Sequence, residues 1–141
     1  MTIRQFAVAY VAGGLVLLVL DAAWLSTMAA RLYRPAIGHL MQPAFDVKAA
    51  ALFYVLYLAG VVFFAVAPAL DVRSWTVALG RGALLGLIAY ATYDLTNQAT
   101  LKDWPWHLTL IDLAWGSILT AAAAAAGCGA ALAFSGDAAG R

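Results

Sequence analysis

Four stretches of the 141-residue chain, residues 6–28, 49–69, 77–96 and 108–134, are apolar almost without a break. Polar and charged residues gather between them. A helix needs about 20 mostly apolar residues, at about 1.5 Å each, to cross the roughly 30 Å hydrocarbon layer, and each stretch meets that requirement. The apolar runs are continuous rather than alternating, which excludes a membrane β-barrel and leaves helices as the way to satisfy backbone groups in lipid. The second and third connections, around DVRSW and QATLKDWPWH, are short, so neighbouring helices must run antiparallel. The pattern predicts an all-α, polytopic membrane protein. Residues 1–134 form a four-helix transmembrane bundle, with a short interfacial segment between helices one and two, and residues 135–141 form a short polar tail.

Composition sharpens this. The chain is 65% apolar and only 11% charged, with a mean hydropathy of +0.88. A soluble domain is roughly a quarter charged, so soluble enzyme folds are set aside. Eight basic residues against seven acidic ones give a net charge of +1. The basic residues are scattered, and nothing suggests nucleic acid as a partner. The single cysteine, Cys128, cannot form an internal disulfide. The first apolar run is longer than the core of a cleavable signal and is interrupted by Asp21 and Trp24, so it is read as a retained helix.

Between helices one and two, Pro35 and Pro43 bracket a stretch containing Arg31, Tyr33, Arg34 and His39. It can lie as one or two turns at the headgroup level; a solvated loop is the alternative. Asp103 and Pro105 read as a cap and first-turn residue for helix four. Gly82 and Gly86 on helix three, with Gly116, Ser117, Thr120, the alanines at 121–126 and Gly127 on helix four, allow close backbone approach in lipid. Helix four is therefore expected at the centre. Arg4, Arg73, Arg81 and Arg141 fall on one side of the membrane and Arg31, Arg34, Lys48 and Lys102 on the other, a tie that leaves orientation open.

Three carboxylates stand where lipid should exclude them. Asp21 falls about 22 Å past Phe6, Asp94 about 26 Å past Val77 and Asp112 about 6 Å past Leu108 on the helix running back. All three thus share one leaflet. Burying an aspartate at the centre of a spanning helix costs from about 2.5 kcal/mol upward, and Asp21 and Asp94 lie toward helix C-termini, where the dipole is unfavourable. Asp21-Ala22-Ala23-Trp24 matches Asp112-Leu113-Ala114-Trp115, a D-x-A-W repeat that places carboxylate and indole on one helix face. Tyr90, Tyr93, Asp94 and Asn97 share a face of helix three, and Lys102, Trp104, Trp106 and His107 follow in the next connection. Two readings stand side by side. Interhelical bonds from indoles and phenols lock the bundle, at roughly 0.6 kcal/mol each, or the group forms an intramembrane ligand site.

Other chemistry has less support. His39 and His107 lack the spacing of a metal site, no serine sits in a nucleophile motif, and no phosphate loop or cofactor fingerprint occurs, so no metal or cofactor is expected. Tyr54 and Tyr57, beside Phe53, read as core or interface packing.

The run Tyr90-Ala-Thr-Tyr93-Asp94-Leu-Thr-Asn97, followed by Ala99-Thr-Leu101, Trp104-Pro105 and Asp112-x-x-Trp115-Gly116, resembles the bacterial membrane family catalogued as domain of unknown function 2177. Asp21-x-x-Trp24-Leu25, Leu52-Phe53-Tyr54 and Pro68-Ala69-Leu70 also look like that family, and the likeness extends to about Phe134. It implies a four-helix protein of the bacterial inner membrane, with a hint toward lipid from the fatty-acid-modifying enzymes often associated with such genes. The chain departs from the family pattern at Ala44, after Gln42-Pro43, where an asparagine is usual.

These readings converge on a candidate ligand-binding set of Asp21, Trp24, Tyr90, Tyr93, Asp94, Asn97, His107, Asp112 and Trp115, enclosing a single-leaflet pocket for the polar or cationic group of an amphiphile. Membrane lipid is the expected partner. Aspartates held close together repel, so at least one keeps its proton, which suits lipid-related binding or proton-coupled transport. Four helices are few for a transporter, and transport would call for a homodimer. The alternative is a non-catalytic accessory or assembly subunit that packs its small-residue face against a larger membrane partner.

Overall fold

In a computed structural model, residues 1–136 are described; the polar tail expected from residue 135 lies, beyond Gly136, outside them. The chain forms four helices long and apolar enough to span a membrane: α1 (Ile3–Leu40), α2 (Val47–Asp71), α3 (Trp75–Thr100) and α4 (Trp106–Ser135). No strand occurs among the described residues. The protein is an all-α membrane bundle.

Local chemistry sets the helix ends. Thr2 Oγ1 accepts from the Gln5 amide at 3.1 Å while Gln5 Oε1 accepts from the Thr2 amide at 2.8 Å, a capping box that starts α1 at Ile3, ahead of the apolar run. Asp46 accepts from the amides of Lys48 and Ala49 at 3.0 and 3.1 Å and starts α2. Ser74 caps α3. Asp103 does not cap α4: it sits in a left-handed turn with φ of 59°, and the Pro105 carbonyl takes the first amides, those of Leu108 and Thr109.

The stretch after helix one, expected as one or two turns or a solvated loop, is helical: it continues α1 through a wide π turn at Ala29–Tyr33 and two further short turns ending at Leu40. Only residues 41–46 remain as a connection. A second π turn, Val62–Val66, precedes Pro68 in α2. Such turns insert one residue and rotate the helix beyond them by about 100° relative to a straight continuation.

Helix α4 lies between α1 and α3 and is antiparallel to both. On one side Gly13 meets Ala123, Gly127 meets Ala9 and Leu17 packs with Leu119. On the other, a Cβ at Gly82 would fall 2.7 Å from the Thr120 carbonyl oxygen, and one at Gly86 would run into the Gly116 carbonyl. Gly13, Gly82, Gly86, Gly116 and Gly127 are thus engaged in internal packing. Large apolar side chains such as Val19, Phe63 and Ile118, each more than 60% exposed, point outward, while Asp21, Asp94, Thr109, Asp112 and Thr120 are buried. In lipid no hydrophobic force drives large apolar residues inward, so small and polar contacts hold the helices together.

Candidate ligand-binding site

The two D-x-A-W copies meet across the α1–α4 seam. Antiparallel register sets Asp21 opposite Trp115, and therefore Trp24 opposite Asp112. The indoles stack at 4.3 Å with 8° between planes. Trp115 Nε1 donates to Asp21 Oδ1 at 3.3 Å, and the other Asp21 oxygen accepts from the Tyr54 hydroxyl of α2. Trp24 Nε1 donates to the Tyr33 hydroxyl at 2.9 Å, which donates to Asp112 Oδ1 at 2.6 Å. Each carboxylate thus holds one phenol, and each indole serves the other helix's carboxylate, directly or through that phenol. Buried charge is stabilised by such charge-assisted bonds.

Asp94 differs. It is fully buried, and neither carboxyl oxygen has a hydrogen-bond partner among the described residues. The register that sets Gly86 on Gly116 and Gln98 on Thr109 sets Asp94 opposite the turn of α4 carrying Asp112. Beyond it, Gln98 Nε2 donates to the Trp104 carbonyl at 2.8 Å, Trp104 Nε1 donates to Thr109 Oγ1 at 3.1 Å, and Thr109 donates to Gln98 Oε1 at 3.1 Å. That closed ring fixes the α3–α4 connection over the buried carboxyl.

A cavity of about 270 Å³ opens beside Asp112, lined by Phe53, Tyr57, Ala89, Tyr90 and Tyr93. It lies on the α2–α3 side. The Tyr90 ring occupies the space a side chain at Gly116 would need, and Tyr57 hydrogen-bonds Thr120 at 2.7 Å. Tyr93, exposed, sets its ring edge-on to Trp104 at 5.8 Å.

Of the nine residues expected at the site, Tyr90, Tyr93 and Asp112 line this cavity. Asp21, Trp24 and Trp115 belong to the adjoining network, Asp94 is enclosed opposite Asp112, and Asn97 is half-buried further along α3. His107 is exposed at the start of α4, as are Lys102 and Trp106. The hollow therefore lies beside the carboxylates rather than among all three. Three phenols were missed. Tyr54 and Tyr57, three apart, carried a usable signal, since both hydroxyls of one helix face require partners when buried. Tyr33 reaches α4 because the π turn rotates it there, and sequence spacing gives no sign of that.

The arrangement defines a class: a small four-helix membrane protein with an intramembrane carboxylate–aromatic cluster. Residues 6–129 match the family model described as "Predicted membrane protein (DUF2177)", and the chain belongs to that family. No curated protein and no solved structure matches the chain.

Proposed function

We propose that the protein, in a bacterial inner membrane, binds the polar or cationic head of an amphiphile in the cavity beside Asp112. The observation that carries this reading is a carboxylate bordering an otherwise aromatic and aliphatic hollow of about 270 Å³ between α2 and α3. A cation entering it meets the free edge of Asp112 and the faces of tyrosine and phenylalanine rings, which attract positive charge by about 0.5–2 kcal/mol each in a dry site. The ligand's chain leaves along the apolar seam between the same helices. Lipid-related binding is the role that follows, with Asp94 as a second carboxyl behind the first for a proton-coupled version.

Binding of dodecyltrimethylammonium to the purified protein in neutral detergent tests the reading. Asp112→Asn is expected to weaken binding about tenfold, the equivalent of about 1.4 kcal/mol, and dodecyl sulfate is expected not to compete. Equal affinity in wild type and Asp112→Asn would remove the proposal.

A further inference from the structure

A second site lies toward the opposite face of the membrane. Arg81 stands six residues into α3, about 9 Å past Trp75, whereas Tyr93 lies about 27 Å past it. A charged side chain inside a spanning helix is costly, and one this near a helix end reaches toward the interface. Arg81 Nε donates to the Phe64 carbonyl of α2 at 3.0 Å. The residue four further on, Pro68, has no N–H to give that carbonyl. The bond holds the root of the guanidinium of this exposed residue, and neither terminal nitrogen makes a hydrogen bond among the described residues.

Arg81 heads a groove of about 330 Å³ whose other lining residues are Phe64, Leu84, Leu85 and Ile88, so it is the single charged group there. Phe64 and Leu85 also line an adjoining groove of about 360 Å³ that continues along the α2–α3 seam past Gly60 toward Tyr57. A held cation and two apolar grooves that share Phe64 and Leu85 match one occupant: an anionic headgroup followed by an acyl chain. We propose that this face binds an anionic phospholipid, its phosphate on the terminal nitrogens of Arg81 and one chain along Leu84, Leu85 and Ile88. Guanidinium suits this task because its fork engages two phosphate oxygens at once.

The test uses the full chain in neutral detergent with phosphatidylglycerol or phosphatidylcholine added, and counts retained lipid per chain by native mass spectrometry. Phosphatidylglycerol is expected to be retained over phosphatidylcholine. Arg81→Gln is expected to lower its retention about tenfold. Because that variant also frees the Phe64 carbonyl, Leu85→Trp provides a second arm: it blocks the apolar grooves with the charge intact and should lower retention as well. Excess inorganic phosphate should not displace the lipid, and Asp112→Asn should leave its retention unchanged, which separates this site from the cavity above. Equal retention of the two lipids, displacement by phosphate, or no effect of Leu85→Trp would each overturn the proposal.

Discussion

Toward α1, helix α4 presents Asp112 and Trp115 to a network in which both carboxylates of the seam have partners from phenols or indoles. Toward α3 it presents Gly116 and Thr120 to Gly86, backbone against backbone, and the carboxyl enclosed there, Asp94, has no partner among the described residues. At the depth of the carboxylates the α1–α4 seam is held by polar bonds, whereas the α3–α4 seam, backbone-tight at Gly86 and tied by Gln98 and Thr109, encloses a carboxyl with no partner among the described residues. The difference teaches where to look for function. A fully partnered network specifies register and adds stability, whereas a buried polar group without a partner costs free energy that packing elsewhere must offset.

The largest expected effect tests the contact seam. Gly86→Leu should destabilise the protein by about 3 kcal/mol or more, because the added side chain meets the Gly116 backbone rather than a movable side chain. Gly80→Leu, with open space around it, should leave thermal unfolding in detergent unchanged. Next come the carboxylates. Asp21→Asn turns an amide donor toward one of two donors and should cost about 1–3 kcal/mol, while Asp94→Asn should cost less than about 1 kcal/mol. Equal losses measured by chemical unfolding would erase the distinction between the seams. Tyr33→Phe and Tyr54→Phe should each cost about 1 kcal/mol, and a double-mutant cycle of Tyr33→Phe with Asp112→Asn should show strong non-additivity. Trp24→Leu removes the stacked indole, worth about 0.5–1.5 kcal/mol beyond buried area, together with the donor to Tyr33, a loss read as a shift of the unfolding midpoint.

Much of the bundle was legible because lipid imposes a simple rule: an apolar run of sufficient length must be a helix, and short connections make its neighbours antiparallel. The glycines at 82, 86 and 116 pointed correctly to α4 as the central helix, since only small residues allow such approach. Helix rise gave the shared leaflet of Asp21 and Asp112 and the D-x-A-W repeat put each on one face with an indole; the two copies do meet. What escaped was rotation. Spacing arguments assume 3.6 residues per turn throughout, and the π turn at Ala29–Tyr33 breaks that assumption just where Tyr33 acquires its role. Pro105 and Asp103 escaped for a different reason, since a capping signature does not reveal which of two nearby residues supplies the acceptor. The position of the hollow, beside Asp112 rather than among three carboxylates, depended on how the stacked indoles fill the α1–α4 seam.

The wide turn in α1 also acts as a phase shifter. Removing a single residue from Ala29–Tyr33 would return the helix to an ordinary winding and swing everything downstream by about 100°, carrying the phenol of residue 33 off Asp112 and Leu32 off Leu108. A deletion of one amino acid here would therefore act like several substitutions made together, stripping a carboxylate of its hydrogen-bond donor and the half-buried Trp24 indole of its acceptor while leaving the composition of the segment almost untouched.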